Sequence, residues 1–292
     1  MIKPNAIIIG TGKIGIDLYI KCKKSKVFNK IFIFNRNKKS QGAKYCQSQN
    51  FLYSDEGIRG VKKKLNNCSY IFDATSAKSN IKIIQALKNK IDKKYFINLT
   101  PSKNGKYVVP YTHKNKIPKI INLITCGGQT STPIINEFNN ILGNNLKYVE
   151  LVSSIASKSA GQATRDNIDE YITTTENAIS KLTKVKNVKV IININPSEPP
   201  VNMMNSLFFE TSKMISTTKY EILKNKIDLI NNRIKSYIPE YNAKIFKTFQ
   251  KNIIRVTIRV VGQGDYLPKY AGNLDIITSS AVFLCKMINE KK

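Results

Sequence analysis

A glycine turn at the first strand-to-helix junction is the sequence feature that most restricts the fold of this chain. The string Gly10-Thr11-Gly12-Lys13-Ile14-Gly15 directly follows the apolar run 6–10 and opens a helix-like segment. In a βαβ unit the first glycine permits the tight turn, the second admits a pyrophosphate, and the third lets helix and strand pack closely. The free amides of the helix N-terminus then face the phosphates. We therefore predict a dinucleotide site here, with a glycine turn that binds no ligand as the alternative.

Short apolar runs alternate with helix-like segments over the first 125 residues. The apolar runs are 6–10, 30–34, 70–75, 95–100 and 120–125, and helical periodicity is found at 14–24, 56–65 and 80–90. Alternation of strand and helix predicts parallel strands that are joined by right-handed crossovers. We therefore expect an α/β fold with a doubly wound parallel Rossmann sheet.

The strand candidates become longer after Cys126. They span 146–156, 188–195, 207–210, 243–249 and 253–261, and helices are expected at 130–142, 165–182, 219–237 and 273–289. Long strands with helices on one face predict a second, α+β domain that carries a mixed or antiparallel sheet. We assign residues 1–126 plus 273–292 to the dinucleotide-binding domain, and residues 127–272 to a catalytic and dimerisation domain.

The chain is strongly basic, with 48 Lys and Arg against 19 Asp and Glu and a formal net charge of +29. Its cations are dispersed, and Lys, Asn and Ile are frequent throughout, which is typical of compositional drift; a surface selected for polyanions is the alternative. No stacking aromatics are interleaved with cations, so we expect no nucleic-acid partner. The apolar runs are too short to span a bilayer and the start leaves no room for a signal peptide, which indicates a cytoplasmic chain.

The end of the second strand selects between the two nicotinamide dinucleotides. An Asp or Glu at this point binds the ribose hydroxyls of NAD, whereas basic groups accept the additional phosphate of NADP. Here the strand at 31–34 is followed by Asn35-Arg36-Asn37-Lys38-Lys39, which contains three cations and no carboxylate. We therefore expect NADP to be accepted beside NAD, with Arg36 among the cofactor-binding residues.

Cys126 stands between the apolar run 120–125 and the glycines Gly127 and Gly128. A thiol at a helix start experiences the positive end of the helix dipole, so its pKa is expected to fall and its thiolate to form readily. The two glycines would leave space for a substrate. A thiolate beside a nicotinamide indicates oxidation of an aldehyde through a thioester. A buried structural cysteine is the alternative.

The other cysteines offer no metal site. Cys22, Cys46, Cys68 and Cys285 are scattered in or beside helix-like segments, no pair has the spacing of zinc ligands, and His113 is the only histidine. We expect these four to be structural thiols and predict no bound metal.

Seven ordered stretches carry a resemblance to one family. They are AIIIGTGKIGIDL at 6–18, IFDATSA at 71–77, NLTPSKNGKYVVP at 98–110, NLITCGGQTSTP at 122–133, SSIASKSAGQATRDNIDEY at 153–171, NINPSEPP at 193–200 and YLPKYAGNLDIITSSA at 266–281. On these stretches the chain resembles the acetylating acetaldehyde dehydrogenases of the meta-cleavage pathways of aromatic catabolism, nearly from end to end.

The resemblance implies both a reaction and a set of site residues. Cys126 would form the acyl-thioester, coenzyme A would accept the acyl group from a short aldehyde, and a homodimer and a 4-hydroxy-2-oxovalerate aldolase would be the partners. The implied NAD site combines the glycine turn with Asn273 and the segment Ser159, Ala160, Gly161, Gln162, Ala163, Thr164, Arg165, Asp166 and Asn167.

The chain departs from the family pattern at several of these positions. Met204-Asn205 replaces an Arg-Asp pair that is thought to position or activate the cysteine, so Asn205 is the catalytic candidate there. Gln162-Ala163 replaces Pro-Gly, Asn35 replaces an Asp, and the loop between Phe249 and Ile253 is short. An amide can orient a neighbour but cannot accept its proton. A degenerate homologue that binds dinucleotide or a partner with little turnover is therefore the alternative function, and a relative that transfers the acyl group to water or phosphate is another.

Overall fold

The computed structural model of the chain describes residues 3–112, 117–161, 164–165 and 168–290, which form two sheets with helices packed against them. Strands of the first sheet are β1 Ala6–Ile9, β2 Ile31–Phe34, β3 Leu52–Ser54, β4 Tyr70–Asp73, β5 Tyr95–Asn98, β6 Lys106–Val108 and β7 Ile120–Leu123. They pair in the order β3-β2-β1-β4-β5-β7-β6, with parallel pairing throughout. The predicted doubly wound parallel sheet is confirmed.

Helices cover both faces of this sheet. The helices that connect its strands in the sequence are α1 Lys13–Ser25, α2 Gln41–Ser48, α3 Gly57–Lys64 and α4 Ala77–Leu87. On one face, Leu18 and Cys22 of α1 pack in a core with Ile8 and Phe72. On the other face, α3 and α4 pack around Ile71. Burial on both faces explains why β1, β4 and β5 are buried along their whole length.

The second sheet is mixed, as predicted. Its strands are β8 Leu146–Ala156, β9 Val188–Asn195, β10 Met203–Thr211, β11 Tyr241–Lys247 and β12 Ile253–Val260, in the order β11-β12-β10-β8-β9. β8 and β9 are parallel, and the other pairs are antiparallel. Three helices, α5 Cys126–Leu142, α6 Ile168–Thr183 and α7 Thr217–Lys235, contribute to the core on one face.

The last helix, α8 Gly272–Glu290, returns to the parallel sheet. Its residues Leu284 and Cys285 complete the core that α1 forms on that sheet. A buried ion-pair cluster joins the same elements, because Lys21 Nζ of α1 lies 3.0 Å from Asp275 of α8 and 2.6 Å from Asp265 in the preceding loop. Among the helices in the described ranges, none has the length and apolar composition that a membrane span requires.

The strand order determines where functional groups can meet. β1, β4, β5 and β7 are neighbours and run in one direction, so the glycine turn after β1 and Cys126 after β7 lie at the same edge of the sheet. Three strand spacings, or roughly 14 Å, separate these two strands. Ligands of open α/β sheets bind outside the carboxyl ends of the strands, which is this edge.

Candidate active site

The glycine turn has the shape that a pyrophosphate site needs. Gly10 has φ +109°, and a Cβ there would lie 2.7 Å from the carbonyl oxygen of Ala74. A Cβ on Gly15 would lie 2.0 Å from the carbonyl oxygen of Gly10, whereas one on Gly12 would meet nothing within 4 Å. Gly12 is the N-cap of α1 and offers no side chain to its amides. The open side of the turn and the uncapped amides of Lys13 and Ile14 therefore fit a dinucleotide phosphate.

The end of β2 is tied to the glycine turn. Asn35 Nδ2 donates to Thr11 Oγ1 at 2.7 Å and to Ser40 Oγ, the N-cap of α2, at 3.0 Å. The amide thus serves as a brace between β1, β2 and α2. Arg36 follows it on the exposed surface, where its guanidinium is accessible to a ligand.

Cys126 is the first residue of α5, four residues before the predicted start of that helix. Thr125 is its N-cap and accepts a hydrogen bond from the Gly128 amide at 3.3 Å. The Cys126 sulfur lies 3.3 Å from the hydroxyl oxygen of Tyr171 on α6, and the Gly127 amide donates to that same oxygen at 3.2 Å. The sulfur, the first amides of α5 and one phenol therefore form a single cluster.

The expected fall in the pKa of Cys126 is wrong for this structure. The residue is 8% exposed, and burial raises the pKa of its thiol above the ordinary value. The hydrogen bonds from Tyr171 and from the Gly127 amide act in the opposite direction and offset burial only in part. Loss of hydration around the charged form outweighs the hydrogen bonds to the sulfur, so the pKa of the thiol stays above its ordinary value.

The sequence analysis predicts that the two glycines after Cys126 leave space for a substrate, and this prediction is wrong for this structure. A Cβ on Gly127 would lie 2.5 Å from Ser153 Oγ and 2.9 Å from the Tyr171 hydroxyl. A Cβ on Gly128 would lie 2.4 Å from the side chain of Ile124. Both glycines are instead required by close packing of the first turn of α5.

Asn205 braces α5, and within the described ranges it makes no hydrogen bond to the sulfur of Cys126. It is fully buried in β10, and its Nδ2 donates to Thr130 Oγ1 at 2.5 Å and to Ser131 Oγ at 3.0 Å. Thr130 Oγ1 in turn donates to the carbonyl of Cys126 at 3.0 Å. The preceding Met204 is 45% exposed on the opposite face of the sheet. Asn205 is therefore connected to the backbone of Cys126 through Thr130, and its Nδ2 also lies 3.5 Å from the Gly127 carbonyl.

The candidate cofactor segment and Asn273 lie together. Asn273 Nδ2, at the start of α8, donates to the Ser159 carbonyl at 3.2 Å, and its buried Oδ1 has no partner among the described residues. Arg165 Nε donates to the Ala160 carbonyl at 3.3 Å, and the Thr164 amide donates to Gly161. An unpaired buried acceptor fits a ligand amide. The candidates Gln162, Ala163, Asp166 and Asn167 lie outside the described residues.

A buried polar network, which the sequence analysis missed, lies at the strand ends between the glycine turn and Cys126. Asp73, the last residue of β4, accepts from Thr75 and from Asn80 Nδ2 at 2.7 Å, and burial raises its pKa. Asn80 accepts from Ser102 Oγ at 2.7 Å, and Ser102 accepts from Asn98 at the end of β5. The sequence signal that could have indicated this network is the polar residue at the end of each of these strands, Asp73 in β4 and Asn98 in β5.

The architecture matches that of a solved structure. A crystal structure of aspartate semialdehyde dehydrogenase II from Vibrio cholerae aligns over 99% of this chain and 99% of its own, with a TM-score of 0.65 and 9% sequence identity. At that identity the likeness shows the fold, a parallel dinucleotide-type sheet joined to a mixed sheet. Fold and strand-end site together define a two-part protein of Rossmann type, in which the parallel sheet is joined to a mixed sheet.

Sequence relatives narrow this class to one family. The acetaldehyde dehydrogenases of Pectobacterium atrosepticum and Bacillus cereus are 37% and 36% identical to this chain, over 97% and 100% of it and over 94% and 97% of their own lengths. A family model described as prokaryotic acetaldehyde dehydrogenase, dimerisation, matches residues 126–268. The chain belongs to the acetaldehyde dehydrogenase family. These findings support an aldehyde dehydrogenase that forms a homodimer, and the fold indicates a nicotinamide dinucleotide cofactor.

Proposed function

We propose that this chain oxidises acetaldehyde or another short aldehyde and transfers the acyl group to coenzyme A through a thioester on Cys126. The observation that carries the proposal is the placement of Cys126 at the start of α5, at the sheet edge that also carries the glycine turn. A nucleophile and a phosphate cradle at one edge are the two parts that such an oxidation requires.

The residues of the chain divide the reaction between them. The Cys126 sulfur adds to the carbonyl carbon, and the positive end of the α5 dipole stabilises the negative charge that develops on the aldehyde oxygen. Bound NAD or NADP supplies the hydride acceptor. Cys126 then carries the acyl group as a thioester until the thiol of coenzyme A attacks its carbonyl carbon, which releases acyl-coenzyme A and restores the cysteine.

The dinucleotide would be held by the glycine turn and by the segment that meets α8. The amides of Gly12, Lys13 and Ile14 bind phosphate in this proposal, and Asn273 Oδ1 accepts from the ligand amide. Arg36 binds the additional phosphate of NADP. Support comes from the open side of Gly12 and the unpaired oxygen of Asn273. We also propose domain boundaries at 126 and 273, since the parallel sheet ends just before α5 and α8 packs on that sheet again. A 4-hydroxy-2-oxovalerate aldolase is the proposed source of the aldehyde.

Replacement of the cysteine tests the proposal. Wild-type protein is mixed with acetaldehyde, coenzyme A and either NAD or NADP, and formation of reduced nicotinamide and of acetyl-coenzyme A is measured. We expect turnover with both cofactors in the wild type, and none in Cys126→Ala because the thioester cannot form. Cys68→Ala is the matched control, since Cys68 is buried on the other face of the parallel sheet.

Three results would contradict parts of this proposal. Equal turnover in Cys126→Ala would exclude the thioester. A preference of at least about tenfold for NAD, which corresponds to ~1.4 kcal/mol, would exclude a role for Arg36 in binding NADP. Binding of NADH by a wild type that shows no turnover would support the degenerate homologue, which is favoured by the amide of Asn205 and by the raised pKa of Cys126.

A further inference from the structure

Tyr171 is the side chain that contacts the proposed reacting atom. It lies on α6 and is 5% exposed, and its hydroxyl oxygen is 3.3 Å from Cys126 Sγ and accepts a hydrogen bond from the Gly127 amide at 3.2 Å. Neither the composition nor the spacing of the chain indicates this contact, because 45 positions separate the two residues. The tyrosine has no other role in the site described above.

The direction of the hydrogen bonds follows from the donors that are present. An amide N–H can only donate, so the Gly127 amide occupies a lone pair of the phenol oxygen. A thiolate carries no hydrogen, so once Cys126 ionises the remaining bond can only run from the phenol to sulfur. The charge-assisted bond formed in this way is stronger than its neutral counterpart.

We propose that Tyr171 is a catalytic residue which donates a hydrogen bond to the Cys126 thiolate and thereby makes a buried sulfur ionisable. The proposal deepens the function above, since it takes Cys126 as the nucleophile. Burial raises the pKa of Tyr171 well above its ordinary value, so the phenol keeps its proton while the thiol loses one.

The surroundings hold the phenol in place. Thr175, one turn later on α6, donates to the Tyr171 carbonyl at 2.6 Å, and its hydroxyl is 2.6 Å from that of Thr125, the N-cap of α5. Gly127 is what permits the close approach, because a Cβ there would lie 2.9 Å from the phenol oxygen. The start of α5 and the side chain of Tyr171 are therefore fitted to each other.

Charged groups on the neighbouring elements are directed elsewhere. Asp169 and Glu170 lie in the first turn of α6, and Lys181 in its last turn lies over the Tyr107 ring. Further charged groups on these elements have partners away from the sulfur, as follows: Glu137 of α5 with Lys226, Glu176 of α6 with the Val190 amide, Asp275 of α8 with Lys21, Lys286 of α8 with Glu290, Glu150 of β8 with Tyr148, and Arg165 with the Ser157 carbonyl. Within the described ranges, Tyr171 and backbone amides are the groups that favour the charged form of Cys126.

The pH dependence of thiol alkylation tests the proposal without cofactor or coenzyme A. The full-length protein is treated with iodoacetamide at a series of pH values, and the alkylation rate of the peptide that contains Cys126 is measured by mass spectrometry. In Tyr171→Phe we expect the midpoint of the rate profile to rise by about one unit, since a hydrogen bond to a charge is lost. Tyr148→Phe, which removes a hydroxyl bonded to Glu150, should leave the midpoint unchanged.

A conservative variant gives the opposite shift and guards against misfolding of Tyr171→Phe. Site-specific 3-fluorotyrosine at position 171 keeps the shape of the ring and makes the phenol a stronger donor, so the midpoint should fall. An unchanged or lowered midpoint in Tyr171→Phe, or a raised midpoint with fluorotyrosine, would overturn the inference. Because the readout needs no turnover, the shifts can occur even if the proposed aldehyde oxidation fails, and the two results are distinguishable.

Discussion

Gly12 and Gly15 differ in what surrounds the side chains they lack. The Cβ position of Gly15 is filled by the carbonyl of Gly10, so the third glycine is needed by the fold. The Cβ position of Gly12 is empty, so the second glycine is needed only if a ligand approaches the backbone there. The same residue type thus has a structural role at one position and a proposed binding role three residues earlier.

This difference predicts that Gly12→Ala affects NADH binding more than stability, whereas Gly15→Ala affects the stability of the fold. Gly12→Ala should change the free energy of unfolding by less than about 1 kcal/mol, because its φ is −72° and no atom is displaced. It should nevertheless weaken NADH binding at least about tenfold. Gly15→Ala should cost about 3 kcal/mol, since the new methyl group collides with backbone.

Chemical denaturation and fluorescence titration of NADH measure these two quantities. Unaltered NADH affinity in Gly12→Ala would exclude the glycine turn as the phosphate site. A Gly15→Ala protein as stable as the wild type would show that the turn adapts to the added methyl group.

Among the secondary-structure elements, the contact between β10 and α5 holds the start of α5, and with it Cys126, in position. Asn205 in the middle of β10 reaches Thr130, which bonds back to the carbonyl of Cys126. Thr132 is equally buried, but its hydroxyl donates to Gly128 at 2.7 Å within the same helix. The two threonines therefore differ in whether they join α5 to the mixed sheet.

We expect Thr130→Val to destabilise the protein by about 2 kcal/mol, because it leaves the buried Asn205 amide without its nearest partner. It should also lower kcat, since the first turn of α5 loses its attachment to β10. Thr132→Val should cost less than about 1 kcal/mol and leave kcat close to that of the wild type. Thermal unfolding and steady-state kinetics of both variants measure these changes. Equal losses of stability and kcat in the two variants would show that the hydrogen bond between Thr130 and Asn205 does not position α5.

Much of the element pattern could be predicted from the sequence, and the failures have physical causes. Strand β9 was predicted at its observed bounds, since its apolar periodicity is strong. The strands β3 and β6, of three residues each, and the short helix α2 were missed because such lengths carry no period. β10 was predicted too short, because the buried Asn205 interrupts its apolar alternation.

The candidate site was predictable in its parts but not in its contacts. The glycine turn and Cys126 can be recognised because each follows a strand directly. The contacts of Cys126 with Tyr171 and of Thr130 with Asn205 could not be, since they join distant segments of the chain. The pKa of Cys126 depends on burial, which a local pattern does not reveal.

At the scale of the whole molecule, the second sheet has one face packed by helices, and no helix of the described part of the chain covers the other face. On β10, Met203, Leu207 and Phe209 point into the core, whereas Met204 is 45% exposed on the other face. The family match that covers this region is a dimerisation model. We therefore expect the uncovered face of the sheet to form the homodimer interface.

A charge on that face should separate the subunits. Met204→Asp places a carboxylate in the centre of the expected interface, where pairing with a second copy would bury it without a partner. We expect the dissociation constant of the dimer to rise at least about a hundredfold, or ~2.7 kcal/mol, in analytical ultracentrifugation. Met214→Asp is the control, since Met214 is 64% exposed in the loop after β10. A dimer that is equally stable in both variants would place the interface elsewhere.

The return of α8 to the parallel sheet has a consequence for the gene as well as for the protein. Leu284 and Cys285 fill the core beneath α1, and Asp275 neutralises Lys21, so α1 and α8 belong to one structural unit although they are distant in the chain. That unit can be completed on the ribosome only after α8 has been synthesised. A nonsense codon that removes α8 would therefore disable the phosphate cradle at the start of α1.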